Sequence, residues 1–178
     1  MRAIPVVVLL LMVSPQVADA QSFEVHASAG PIITDGGYSV AAGAGFSPTK
    51  HLTAAFNVER THLSSRTTSD GRGGVSGFRG GTLVLGSGEL QVTPLGHNRV
   101  GPYGLVGFAA GVSHPNVTAT FPDRVTNSAA ALFFGGGIHV PVSERLSFFA
   151  DVRMMIGAEG PEGIVAIVPV RGGIAWRF

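Results

Sequence analysis

Apolar and polar residues alternate along much of this chain. The pattern is clearest from residue 146 to residue 156, where every even-numbered residue is apolar while Asp151 and Arg153 fall at odd positions. Successive side chains of a β-strand point to opposite faces, whereas a helix would place Asp151 and Arg153 on different sides. The segment is therefore predicted to be a strand with one apolar face.

The same rhythm recurs in segments of about ten residues, separated by clusters of Gly, Pro, Asn, Asp and Ser. Such segments are typical of antiparallel strands joined by turns. We predict eight strands, at residues 23–32, 37–46, 51–62, 78–92, 99–112, 126–140, 145–157 and 164–178. The fourth, fifth and sixth are rich in glycine, so the pattern does not settle which of their faces points inward.

The links between these strands differ in length. Those at 47–50, 93–98 and 141–144 are short, whereas those at 63–77 and 113–125 are long and polar. In an up-and-down barrel the short links all fall at one end, and the long links fall at the other together with two shorter ones, at 33–36 and 158–163.

The first 20 residues have the pattern of a secretory signal peptide. Arg2 precedes an apolar run at 4–13, and Ala18 and Ala20 provide the small residues of a cleavage site. The run is shorter than the ~20 residues that a membrane-spanning helix needs. We expect residues 1–20 to be removed and residues 21–178 to form a single barrel domain.

Composition favours an exterior that faces lipid. Charged residues make up 13% of the chain and the mean hydropathy is +0.35, which leaves too few polar groups to cover a small soluble domain. Cysteine is absent, which excludes disulfides, thiolate metal sites and a thiol nucleophile. The net charge is +1 without a basic stripe, so nucleic acid is not an expected partner.

The last predicted strand is apolar on one parity, at Val170, Ile174, Trp176 and Phe178, and it ends on an aromatic residue. This segment resembles the closing strand of the small OmpA-like and OmpX-like outer-membrane barrels. The resemblance implies an all-β fold, namely an eight-stranded antiparallel up-and-down transmembrane β-barrel in a Gram-negative outer membrane. It also implies a monomer without cofactors, in contact with outer-membrane lipid, lipopolysaccharide and the barrel-assembly machinery, with Trp176 and Phe178 as a C-terminal assembly signal.

Aromatic residues gather near one end of the predicted barrel. We expect them on the apolar parity, as a girdle at the depth of lipid headgroups. The alternative is that they are core aromatics of a soluble sandwich. The residues are Phe23, Phe46, Tyr103, Phe148, Trp176 and Phe178.

If the apolar parity faces lipid, the opposite parity places charged residues in the lumen. Charges in a narrow interior are costly unless they are paired, so we predict a buried ion-pair network. Closure of the barrel should bring Glu24 near Arg177, and Asp151 should lie diagonal to Arg171. The network is either a gate for ions or a fixed filling of the interior, and we favour the filling. Its predicted members are Glu24, Glu59, Glu89, Gln91, Asp151, Arg153, Arg171 and Arg177.

Two other functions remain open. His62 and Ser64 lie two residues apart, which resembles the His-x-Ser of outer-membrane lipid A deacylases, although Ser65 follows where that family has asparagine. The other alternative is a secreted, lipocalin-like ligand-binding barrel. The remaining histidines are scattered without metal-binding spacing, so neither a metal site nor a catalytic site is expected. The favoured role is structural or interactive, through the outer loops.

Overall fold

The computed structural model describes residues 21–34, 36–69, 75–78, 80–117, 123, 125–159 and 164–178. The predicted signal peptide lies outside these ranges. Within them, no helix is long and apolar enough to cross a membrane. The strands are β1 (Ser22–Pro31), β2 (Gly37–Thr49), β3 (Leu52–Leu63), β4 (Arg66–Ser69), β5 (Val75–Phe78), β6 (Gly81–Val92), β7 (Gly101–Pro115), β8 (Asn127–Pro141), β9 (Leu146–Glu159), β10 (Ile164–Ile167) and β11 (Val170–Arg177).

The main sheet closes on itself. Its strands follow the order β1, β2, β3, β6, β7, β8 and β9, and β9 then pairs with β10 and β11 in succession. Antiparallel pairing of β11 with β1 completes the circle. Since β10 and β11 occupy one position in the sheet, the predicted eight-stranded antiparallel up-and-down barrel is confirmed.

The predicted eighth strand is divided in two. Pro169 lies between β10 and β11, where it forms an isolated bridge to Ile32 and its carbonyl accepts a hydrogen bond from Arg153 N. Proline has no N–H to donate to a sheet, which accounts for the interruption at this point.

The long link predicted at 63–77 holds structure of its own. β4 and β5 form a separate two-stranded antiparallel sheet, with Arg66 paired to Phe78 and Ser69 to Val75. The β-branched residues Thr67, Thr68 and Val75 favour extended backbone in this segment. The expectation of a plain loop was wrong for these residues.

The barrel has two different ends. The turn end carries the short connections β2–β3, β6–β7 and β8–β9, together with the start of β1 and the finish of β11. The loop end carries the connections β1–β2, β3–β6, β7–β8 and β9–β10. This sorting matches the predicted one, apart from the β4–β5 sheet at the loop end.

The outer wall of the barrel is apolar. Exposed and buried residues alternate along the strands, and large apolar side chains occupy the exposed positions, as at Phe23 (63%) and Leu132 (70%). The charged residues Asp151, Arg153 and Arg171 are instead buried inside, each at most 5% exposed. This distribution is the reverse of that in a soluble protein.

Small residues make room for the large side chains inside the barrel. A Cβ added at Gly107 would lie 2.4 Å from the Phe133 ring, and one at Gly173 would lie 2.3 Å from the Phe149 ring. Real Cβ atoms do not tolerate such distances, so both rings depend on the glycine opposite them.

Candidate functional site in the barrel interior

Five charged side chains meet in the middle of the barrel. Glu59, Arg171, Asp151, Arg153 and Glu89 form a chain of alternating charge, which we call the central ionic cluster. All five are at least 93% buried. Because β3, β6, β9 and β11 each contribute, the cluster ties four positions of the wall together.

Asp151 is the centre of this cluster. It accepts two hydrogen bonds from Arg153, at 3.1 and 3.2 Å, and two from Arg171, at 3.3 and 3.4 Å. Asp151 and Arg171 are directly opposite each other in the register of β9 and β11. The expected diagonal placement was therefore wrong. The pairing of β9 with β10 and with β11 keeps one register on both sides of Pro169, and this register is set by the β9–β10 connection.

The two outer carboxylates are held differently. Glu89 is paired with the guanidinium of Arg153. Glu59 accepts hydrogen bonds from Ser39 Oγ at 2.7 Å and Thr61 Oγ1 at 2.9 Å, in addition to the 3.4 Å contact with Arg171 Nη1. With three carboxylates and two guanidiniums, the cluster carries one excess formal negative charge, and the two hydroxyl donors stabilise it at Glu59.

A second polar group, the turn-end cluster, surrounds Glu24 and Arg177. These two residues are cross-strand partners, and Arg177 Nη2 lies 3.2 Å from Glu24 Oε2. His26 lies 3.9 Å from Glu24 Oε1 through Nδ1, and its Nε2 contacts Asn57 Oδ1. Glu24 and Arg177 therefore meet where strand closure predicts that they should.

His97 extends the turn-end cluster from the β6–β7 turn. Its Nε2 lies 3.1 Å from Thr53 Oγ1, and its ring stands edge-on to that of His139 with centroids 6.2 Å apart. Burial lowers the pKa of His97 from 6.5 to about 4, and the positive charge of Arg177 acts in the same direction while Glu24 opposes it. This imidazole is therefore neutral at pH 7.

Tyr103 lies inside the barrel, contrary to the prediction that it belongs to an outer girdle. It is 5% exposed, and its hydroxyl donates a 3.0 Å hydrogen bond to Asp151. A buried phenol needs such a partner, and Asp151 on the inward face of β9 supplies one. The parity of this Gly-rich strand could not be set from apolar residues alone.

The remaining predicted girdle residues lie on the outer wall near the turn end. Phe23 and Phe46 are cross-strand partners with ring centroids 5.0 Å apart. Phe148, Trp176 and Phe178 are 49%, 43% and 73% exposed.

Beyond the central ionic cluster the interior is largely apolar, which the alternation of residues did not predict. The buried residues of this loop-end core are Ile32, Leu63, Leu83, Leu85, Leu105, Ala109, Ala129, Phe133, Met155 and Ile167, and the Tyr103 ring joins them. On β3, β6 and β9 the apolar residues Leu63, Leu85 and Met155 each follow the ionic ones toward the loop end. The guanidinium of Arg153 lies 5.4 Å from the Phe133 ring centroid, at the boundary of the two regions.

A cavity of about 30 Å³ borders both polar clusters and Gln91. A space of this size holds about one or two water molecules.

The alternative catalytic pair does not form in the described structure. His62 Nδ1 faces Thr82 Oγ1 at 3.4 Å, and its ring packs on Tyr38 with centroids 5.5 Å apart. No hydrogen bond joins His62 to Ser64 among the described contacts. The described residues also contain no group of three or more His, Asp or Glu side chains that could hold a metal ion.

No protein-family model matches the chain, and no curated protein matches it. Solved barrel structures do. The N-terminal β-barrel domain of Pseudomonas aeruginosa OprF is 12% identical, with a TM-score of 0.63 over 89% of this chain and 98% of that one. Neisserial surface protein A (NspA) is 15% identical, with a TM-score of 0.62 over 89% of this chain and 95% of that one. Ail, the attachment invasion locus protein of Yersinia pestis, is 12% identical, with a TM-score of 0.53 over 89% of this chain and 99% of that one. The chain has the fold of the small outer-membrane β-barrels.

Proposed function

We propose that this protein is a monomeric outer-membrane β-barrel whose interior is closed to ions and whose role is structural or interactive. The observation that carries this proposal is the inversion of the wall, with apolar side chains outside and paired charges inside. Such a wall is stable against acyl chains and unstable against water, because water would face a continuous apolar surface. Shared fold with proteins from bacterial outer membranes supports the same location.

Two features of the interior support a closed lumen. In the central ionic cluster each arginine is engaged by two carboxylates, so rearrangement would leave a buried charge unpaired. The loop-end core then covers the cluster with apolar side chains, which offer an ion no replacement for its water shell. An ion entering from the turn end would have to cross both regions.

Extraction and gel mobility test the membrane location. We expect the protein to fractionate with outer membranes and to require detergent for solubility. Unheated samples should migrate differently from boiled ones, since a closed barrel resists unfolding by detergent at room temperature. Solubility without detergent would overturn the proposal and favour the lipocalin-like alternative.

Planar-bilayer conductance tests the closed interior. We expect background conductance from the wild type and from the double variant Asp151→Ala/Arg171→Ala, because the loop-end core stays in place in both. A variant that opens the core, Leu85→Ser/Phe133→Ser, serves as the comparison. Discrete channels in the Asp151→Ala/Arg171→Ala variant alone would show that the ionic cluster is a gate.

The interactive part of the role rests on the loop end. Ail is named for attachment and invasion, and NspA for the bacterial surface. The β4–β5 sheet belongs to the loop-end connection between β3 and β6. Loss of binding to host cells or matrix after deletion of residues 66–78, with gel mobility of the barrel retained, would support a surface-interaction role over a purely structural one.

A further inference from the structure

One arginine lies on the apolar outer wall. Arg60 occupies an outward position of β3, where its cross-strand neighbours are Val40 and Val84. In the barrel strands that the structure describes, no other outward position carries Arg, Lys, Asp or Glu. Arg60 is exposed and forms no ion pair or hydrogen bond with any described residue. A side chain of this kind needs an anionic partner from outside the protein.

The depth of Arg60 fits a headgroup rather than the middle of a bilayer. It lies three residues before Leu63, where β3 ends at the loop end, which is about 10 Å along the strand. A cation is costly at the midplane of a barrel wall and costs close to nothing near the interface. The flexible stem of arginine also lets its guanidinium reach toward the interface.

Two histidines lie nearer to the loop end than Arg60, by two residues along their strands. The register places His62, Thr82 and His114 side by side on β3, β6 and β7. His62 Nδ1 faces Thr82 Oγ1 at 3.4 Å, and His114 Nδ1 faces Thr126 Oγ1 at 3.1 Å. In both rings Nδ1 is thus engaged by a threonine, and Nε2 has no partner within the described part of the chain.

This group occupies one side of the barrel only. At the loop end of the opposite wall, the outward residues include Ala29 of β1, Ile156 of β9 and Ala166 of β10. A general headgroup girdle would encircle the barrel, so a polar group on one side only indicates a localised site.

We propose that Arg60, His62 and His114 bind a phosphate monoester of the lipopolysaccharide that surrounds the barrel. Arginine matches the geometry of phosphate oxygens with a planar pair of donors, and the two imidazoles flank the position above Thr82. Adjacent strands lie about 4.8 Å apart, so His62 on β3 and His114 on β7 are roughly 10 Å apart across β6 and approach a ligand from opposite sides. This inference rests on the proposed outer-membrane location. Barrels of that membrane have their short turns in the periplasm and their longer loops outside, which puts the loop end in the outer leaflet.

Native mass spectrometry of the refolded protein tests the site, with micelles containing equal amounts of diphosphoryl lipid A and its dephosphorylated form. We expect the wild type to retain diphosphoryl lipid A with about a tenfold preference. Arg60→Gln should abolish the preference, and His62→Gln/His114→Gln should reduce it by a factor of about three. Arg99→Gln and Arg145→Gln, which change exposed arginines at the turn end, should leave it unchanged.

Gel mobility of each variant separates the possible failures. A folded wild-type barrel that retains both lipids equally, or an Arg60→Gln variant that keeps the preference, would overturn the phosphate site and leave the membrane location standing. A protein that is soluble without detergent would overturn both. Equal retention of phosphatidylglycerol, a phosphodiester, would overturn the assignment to phosphate monoesters.

Discussion

The central ionic cluster and the loop-end core fill the same barrel by opposite means. In the cluster, carboxylates and guanidiniums pair with one another, and in the core aliphatic and aromatic side chains pack together. A buried ion pair contributes little net stability because desolvation offsets its attraction, whereas apolar burial is favourable on its own. The central ionic cluster therefore fixes which strands meet, and the loop-end core contributes more of the stability.

The first prediction concerns Asp151, the centre of the central ionic cluster. Asp151→Ala leaves Arg153 and Arg171 without their shared carboxylate, so we expect the free energy of unfolding to fall by about 3–5 kcal/mol. Denaturant titration of the folded barrel in detergent measures the loss. Glu144→Ala, which removes an exposed carboxylate in the β8–β9 turn, should change it by less than about 0.5 kcal/mol. A loss below 1 kcal/mol for Asp151→Ala, in the range of an exposed pair, would contradict the central role of Asp151.

The second prediction concerns packing in the loop-end core. Leu85 is 2% exposed, so Leu85→Ala leaves a cavity and should lower the free energy of unfolding by about 2–5 kcal/mol. Leu85→Met keeps most of the volume and should cost less than about 1.5 kcal/mol. The same denaturant titration compares the two. Equal losses for both variants would show that packing volume does not govern this region.

The third prediction concerns the residue that belongs to both regions. The Tyr103 ring packs in the loop-end core while its hydroxyl donates to Asp151. Tyr103→Phe keeps the ring and removes the donor, so stability should fall by about 1.5–3 kcal/mol. Tyr38→Phe alters an exposed phenol on the outer wall and should have an effect below about 0.5 kcal/mol. If the two variants are equally stable, the hydrogen bond to Asp151 contributes nothing.

The fourth prediction concerns the pH dependence of stability, to which the loop-end core does not contribute. His97 takes up its proton at a pH of about 4 in the folded barrel and near 6.5 when unfolded. Between these values the unfolded state binds more protons, so stability is fully present above pH 6.5 and falls by roughly 1–3 kcal/mol toward pH 4. Equilibrium unfolding at several pH values measures this slope.

His97→Gln should reduce that slope. His114→Gln, at the loop end, should leave it unchanged. A slope that persists in His97→Gln would assign the acid sensitivity to other groups of the turn-end cluster.

Alternation of residues was enough to predict the fold, and on several strands it also predicted which face is buried. On β9 the polar residues Asp151 and Arg153 contrast with apolar neighbours, so parity identifies the interior. On β6 and β7 the inward residues Leu83, Leu85 and Leu105 are as apolar as the outward ones. The period of two disappears there, which is why the loop-end core was missed and Tyr103 was assigned to the wrong face.

The contacts of the charged residues were harder to predict than their side of the wall. The contact between Glu24 and Arg177 follows from closure of the barrel alone, because the first and last strands must pair. The meeting of Glu89 with Arg153 depends on the stagger between strands that are not neighbours in the sheet, and no local pattern encodes it. Ser39 and Thr61, which hold Glu59, are ordinary strand residues by sequence and gain their role only through this register.

Pairing of β1 with β11 has a consequence for how the molecule is made. Glu24 and Arg177, which it joins, are 153 positions apart in the chain. Until that seam forms, any partial sheet has two open edges whose amide and carbonyl groups are unsatisfied, and hydrocarbon offers them no partners. Strand-by-strand insertion is therefore unfavourable. Pairing of the eight-residue β11 decides whether the preceding strands form a closed barrel or an open, aggregation-prone sheet.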